Sequence, residues 1–437
     1  MAEIILGTPV LIKILTSLTL IIIINKKLSN QVIAVLCGTV LLAVWAGHSF
    51  QTAIAIAADR FTSMDNIFLL VVIIFIISLS SQMKETGIMD DLVHGITGRF
   101  SQSTSMAVLP AVIGLLPMPG GAVFSAPMVA SCDPETRIDP LLKSRINYWF
   151  RHIWEYWWPL YPGVLLAIDI SGLEVSQFML FNFPITIFSV AGAWFFLLRK
   201  ADFSKKISPN SNNISSPGGQ SSSGILFLVS PIILIIGIYT VINIAFPPLG
   251  NFSRYLPILI GIISAVIYLQ IIRPLKLSAW KKILFSRKLI SLVLLVALIR
   301  IYGAYIEGRL PDGTLMMQSL RAELSAAGIS PYILIMLIPF FCGISTGIAI
   351  GTVGAAFPIV MSLIGPEPGY ALVVSTTALA YSFGHAGQLM SPVHVCLLVS
   401  NEYFKVGLGR SLAGLIKPSL VVLAAGFLLS RLYLIIL

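Results

Sequence analysis

A chain of 437 residues that is 57% hydrophobic and 11% charged, with a mean hydropathy of +0.93, carries more apolar sequence than one soluble core can hide, which excludes an ordinary soluble domain. The formal net charge of +10 sits in short basic stretches between apolar runs, so it marks loops flanking a membrane and sets nucleic acid aside as a partner. Cys37, Cys132, Cys342 and Cys396 are scattered, lack metal-ligand spacing, and read as small buried hydrophobes.

Taking roughly 20 apolar residues as one crossing, the chain predicts about ten spans: 5–24, 30–48, 66–83, 147–170, 176–198, 224–246, 254–272, 288–306, 369–400 and 411–437. The first is expected to be a retained span, because no basic stretch precedes it and no small-residue cleavage site is clear, although Lys13 lies in its middle. Two further apolar stretches, 104–131 and 332–364, have glycine and proline at their centres, in LLPMPGGAVFSAP (Leu115 to Pro127) and GISTGIAIGTVGAAFP (Gly343 to Pro358). Backbone groups freed by such breaks are costly in hydrocarbon unless protein or a wet cavity satisfies them, so both stretches are expected to be re-entrant helical hairpins. Residues 208–223, rich in Ser, Asn, Gly and Pro, read as a flexible cytoplasmic linker.

Loop charge orients the spans. The 273–288 loop holds Arg273, Lys276, Lys281, Lys282, Arg287 and Lys288 without an acid, which places it in the cytoplasm. Counting outward from it puts Lys26, Lys27, Arg199, Lys200, Lys405 and Arg410 on the same side and both termini outside. The phrase YWFRHIWEYWWP, from Tyr148 to Pro159, returns 233 positions later as YSFGHAGQLMSP, from Tyr381 to Pro392. Each half, 1–207 and 224–437, then contains five crossings and one hairpin, and because five is odd the halves run oppositely. The expected fold is an all-α polytopic membrane protein with about ten transmembrane helices and two re-entrant hairpins in an inverted-topology repeat, with a broken helix (147–170, 369–400) after each hairpin.

Arg151, His152 and Glu155 fall about one turn into a membrane segment, where ionisable groups mark function. An interfacial aromatic belt with Arg151 snorkelling is the alternative. A belt, however, would not need to recur as His385 and Gln388. Arg151 is the candidate for a carboxylate or other oxyanion. His152 or His385 is a candidate for a coupling proton, or else a neutral ring bonded to a neighbouring helix. Pro159 and Pro392 lack the amide donor a helix needs, and Gly384 and Gly387 weaken the second copy, so these four are the expected helix-break residues.

The hairpin tips add close backbone approach and small hydroxyls. The expected solute contacts are Arg151, His152, Glu155, Gly120, Gly121, Ser125, Ser345, Thr346, His385 and Gln388. The expected cation contacts are Ser125, Thr346, Gly351, Thr352, Ser375, Thr376 and Thr377. Small residues equally suit helix packing in membranes, and both readings stand at this point. Gly343-Ile344-Ser345-Thr346-Gly347 matches the nucleophile elbow of serine hydrolases, but nothing around it reads as the required sheet. His152-Ile153-Trp154-Glu155 lacks the second histidine of a zinc protease helix, and no phosphate-binding loop is present.

LLPMPGGAVFSAPMV together with FRHIWEYWWPLYPG resembles a prokaryotic family of integral membrane proteins known as domain of unknown function 401. The hairpins, broken helices and repeat are similar to those of the ion transporter superfamily of secondary carriers, which includes dicarboxylate, citrate, gluconate and arsenite permeases. The resemblance covers nearly the whole chain. It implies an elevator-type carrier, often a homodimer, with multiple passes through the inner membrane of a prokaryote. Where dicarboxylate carriers have Ser-Asn-Thr at the tips, this chain has Pro119-Gly120-Gly121 and Ser345-Thr346-Gly347, so neither dicarboxylate specificity nor sodium coupling carries over. The expected function is secondary active transport of a small organic anion coupled to Na+ or H+, with no other metal or cofactor and no enzymatic activity. Its rivals are an intramembrane enzyme using His152, Glu155 and His385 on a lipid-soluble substrate, and an ion channel.

Overall fold

The computed structural model describes residues 8–28, 30–88, 101–115, 117, 121–133, 135–200 and 225–437. The predicted 208–223 linker and Gly120 lie outside them. Among the described residues the chain is almost wholly helical, the one extended pairing being an isolated bridge between Arg309 and Leu315. Among the described residues, four helices are long and apolar enough to cross a membrane: Met64–Glu85, Val175–Phe196, Leu277–Glu307 and Leu408–Ile436. A fifth forms if Met316–Ala326 and Pro331–Thr346, bent by 114°, count as one span.

The difference from about ten spans has physical reasons. Gln31–Trp45 and Leu256–Ile272 are 15 and 17 residues long, so at 1.5 Å per residue they reach about 22 and 25 Å of a hydrocarbon layer about 30 Å thick. Val10–Leu28 is long enough but carries Lys13, Lys26 and Lys27. The 147–170 and 369–400 segments are each split in two.

Burial shows which solvent this fold is built for. Leu180, Ile271 and Ile435 are 66%, 75% and 80% exposed, while Asn66, Gln82 and Ser375 are wholly buried. An apolar exterior around a polar interior fits lipid rather than water.

Eight helices position the site. Helices α1 (Gln102–Gly114) and α2 (Ala122–Ser131) come before α3 (Pro140–Arg151) and α4 (Pro162–Ser171). Helices α5 (Pro331–Thr346) and α6 (Ala349–Leu363) come before α7 (Tyr370–Leu389) and α8 (Val395–Tyr403). Gly347 turns the chain between α5 and α6 with φ +65°, a left-handed conformation that glycine adopts without strain.

Close packing places α5 directly on α7. A Cβ on Gly343 would strike the carbonyl oxygen of Gly384, and one on Gly387 would strike that of Phe340. A Cβ on Gly114 would likewise strike the Arg151 carbonyl, so α1 presses on the end of α3 in a similar way. The role expected for Gly384 and Gly387 is therefore corrected. Helix α7 runs through both without interruption, and their missing side chains admit a neighbouring backbone instead of breaking the helix. The interruption falls later, at 390–394, around Pro392.

Between α2 and α3, at the base of the first pair, Asp133 is buried with Lys143. Its carboxylate accepts from Lys143 Nζ at 2.7 Å and from the amides of Ile138 and Arg137 at 2.9 and 3.1 Å. Burial alone would raise its pKa, but the ammonium and the two amides outweigh that and hold it below the ordinary 3.8. A depressed folded value means stability present above 3.8 and lost as pH falls through the folded value. Asp133→Asn is expected to cost about 1.5–3 kcal/mol at neutral pH. In thermal unfolding of the detergent-solubilised protein, its deficit against wild type should shrink only below that pH.

Candidate functional site

Helix α3 ends at Arg151, and the chain stays unwound from His152 to Tyr161 before α4 begins at Pro162. Proline at the first turn of α4 loses no helical bond, because that amide has no intrahelical partner anyway. Pro159 lies inside the unwound stretch, which starts well before it. The aromatic residues explain how this stretch survives among apolar helices. Trp154 Nε1 donates to the Ala111 carbonyl at 2.7 Å, Trp158 Nε1 donates to that of Leu115 at 3.0 Å, and the Tyr161 hydroxyl donates to that of Gly114. These are carbonyls of the last turn of α1, which a helix end leaves unpaired. Thr186 in turn donates to the Ile153 carbonyl at 2.7 Å. The tryptophans thus cap a helix inside the protein rather than forming a belt at its edge.

The two copies of the repeated phrase meet. Gln388 Nε2 donates to Glu155 Oε2 at 2.8 Å, so the residues that correspond across the repeat bond one another. The Tyr381 hydroxyl donates to the Glu155 carbonyl at 2.8 Å. Its counterpart Tyr148 reaches the carbonyls of Gln388 and Leu389 at 3.4 and 3.1 Å. A second correspondence concerns bulk. The Arg151 guanidinium fills the space that a Cβ on Gly121 would need, while at Gly384, the counterpart of Arg151, the Thr352 methyl takes that place.

Glu155 is the hub. Besides Gln388, its carboxylate lies 3.7 Å from His152 Nε2 and 3.9 Å from His385 Nδ1. His385 packs edge-on against the Tyr156 ring at 4.3 Å between centroids. His394 completes the cluster, its Nε2 3.1 Å from that of His152. The Cys396 thiol lies with both imidazoles and beside Arg151, and all of these residues are buried.

A cavity of about 170 Å³ opens on this cluster. Arg151, His152, Glu155, Gln388, His394 and Cys396 line it, together with Pro117 after α1 and Ile348 to Ile350 at the α5–α6 turn. At about 30 Å³ per water it holds five or six waters or one small solute. A larger cleft of about 620 Å³ lies elsewhere, between Ser171, Glu307, Arg321 and Gly365, and contains none of the expected site residues.

The remaining expected residues divide into two groups. Thr346 donates to the Cys342 carbonyl at 2.8 Å and meets the Thr352 hydroxyl at 3.1 Å, while Thr352 donates to the Ile348 carbonyl at 2.9 Å. Gly351 packs on Thr346, and Ser345 sits in the same last turn of α5. These hydroxyls tie the second tip together next to the cavity. Buried Ser125 has only a long 3.5 Å contact to the Gly121 carbonyl. Ser375, Thr376 and Thr377 are not brought to the cluster. Ser375 bonds Ser430 at 2.8 Å, and ten residues of α7 put His385 about 15 Å further along.

His394 and Cys396 are site residues that sequence reasoning missed. His394 is two residues past Pro392, in the stretch a proline break should expose. Cys396 gave little signal, since only His394 stands near it in sequence and the third member of the cluster, His152, is 242 positions from His394.

A helical membrane chain with a buried polar cluster and a solute-sized cavity between two pairs of short helices is the class these observations define. Within that class the chain belongs to the family described as protein of unknown function (DUF401), whose model matches residues 8–436. No curated protein matches it.

Proposed function

We propose that this protein is a secondary active transporter of a small organic anion, built as an inverted-topology repeat on the pattern of the ion transporter superfamily. The observation that carries the reading is the meeting of Glu155 with Gln388 beside a cavity bounded by one turn from each half. The reciprocal bonds of Tyr148 and Tyr381, and the exchange of bulk between Arg151/Gly121 and Gly384/Thr352, are what two oppositely oriented copies of one unit would make about a shared axis. Arg151 supplies positive charge to the solute, and the two turns close over it. The Glu155 carboxylate lies within 4 Å of both His152 Nε2 and His385 Nδ1, which supports proton coupling.

Uptake into proteoliposomes tests the reading. An anionic metabolite from a broad panel should accumulate under a proton or sodium gradient and be recovered chemically unchanged. Recovery of an altered compound would transfer the site to an enzyme, and no uptake of any member under either gradient would end the transport reading.

A further inference from the structure

The two histidines of the cluster bring their Nε2 edges together beside the Cys396 thiol. His152 Nδ1 lies 2.6 Å from the Tyr148 carbonyl, and His394 Nδ1 lies 3.3 Å from the Gln388 carbonyl. A carbonyl oxygen only accepts, so each bond puts the hydrogen of a neutral ring on Nδ1 and leaves a lone pair on Nε2. Those two Nε2 atoms lie 3.1 Å apart. Two lone pairs at that separation repel unless a cation binds both. Backbone carbonyls on the far ring nitrogens are also the arrangement that orients metal-ligating histidines.

The geometry points to a binding site for a borderline-soft transition-metal ion such as zinc, held by His152 Nε2, His394 Nε2 and Cys396 Sγ. In a tetrahedral site with Zn–N of about 2.0–2.1 Å, two nitrogens lie about 3.3 Å apart, close to the observed separation. The three donor atoms all fall within 4.8 Å of one another, and all three residues are buried. Closing the Cys396 side chain onto the ion completes the set, the thiol proton leaving to water as the sulfur–metal bond forms. Imidazole and thiolate together select zinc or copper over magnesium, calcium or sodium. The fourth position faces the cavity, where Glu155 stands 3.7 Å from His152 Nε2. Thiolate and Glu155 carboxylate together balance a divalent ion.

Titration of the purified full-length protein in detergent with cobalt(II) tests this without any transport measurement. Wild type should develop a saturable thiolate-to-cobalt charge-transfer band, one ion per chain, that zinc displaces. Cys396→Ser should lose the band, His394→Ala should weaken cobalt binding at least tenfold, and Cys37→Ser should match wild type. His394→Gln, which keeps the ring's approximate volume, guards against a variant that fails to fold. No band in wild type, the pair then holding a proton, would overturn the assignment, as would a band that survives in Cys396→Ser. A protein that binds cobalt but moves no anion sinks only the transport reading, and one that moves an anion without binding cobalt sinks only this one.

Discussion

Arg300→Leu is expected to lower the stability of the solubilised protein by about 3–5 kcal/mol, read as a fall in its thermal unfolding transition. Arg300 lies in the span Leu277–Glu307 and pairs with Asp169 in the last turn of α4, with 9% and 4% of their side chains exposed. Removing the guanidinium leaves a carboxylate without its counter-charge where water cannot reach it. The effect should belong to the orphaned charge rather than to lost attraction. Asp169→Leu combined with Arg300→Met replaces both ions with apolar groups and should recover most of the loss, because a buried pair is close to neutral against well-packed hydrophobes. A double variant as unstable as the single one would contradict this account of the pair.

Arg151→Ala is expected to weaken the binding and transport of the anion by at least about 30-fold, since truncating a buried charge that bonds a ligand costs about 2–5 kcal/mol. Arg151→Lys should recover only part, because an ammonium cannot present the two parallel donors of a guanidinium to a carboxylate. Gly121→Val gives an independent check. Its side chain would occupy the place of the guanidinium and should reproduce the defect with Arg151 intact. The measurement is the concentration dependence of uptake in proteoliposomes, and wild-type transport by Arg151→Ala would remove the anion assignment.

The helical class was legible because hydropathy and composition depend on residues one at a time, and lipid is the only solvent that accepts this much exposed Leu, Ile and Val. The recurring phrase was legible because Tyr, His and Pro return at one offset. What sequence could not carry is the direction in which small residues work. Gly384 and Gly387 weaken a helix on propensity, yet in the fold they admit the backbone of α5, and that tertiary contact outweighs the local preference. Trp154 and Trp158 leave a belt open as the alternative until the carbonyls of α1 are seen to need their donors. Asp169 and Arg300 went unread because each acquires meaning only from a partner more than 100 positions away, and His394 and Cys396, two positions apart, because His152 joins them from 242 positions before His394.

The central claim is that the cavity at Glu155 and Gln388 belongs to a carrier, and counterflow tests it most directly. Proteoliposomes loaded with a millimolar excess of the preferred unlabelled anion are diluted into a trace of labelled anion, with no ion gradient imposed. The account predicts a transient accumulation of label above equilibrium that saturates with external concentration and disappears in Arg151→Ala. A labelled flux that only equilibrates, without overshoot or saturation, would contradict it.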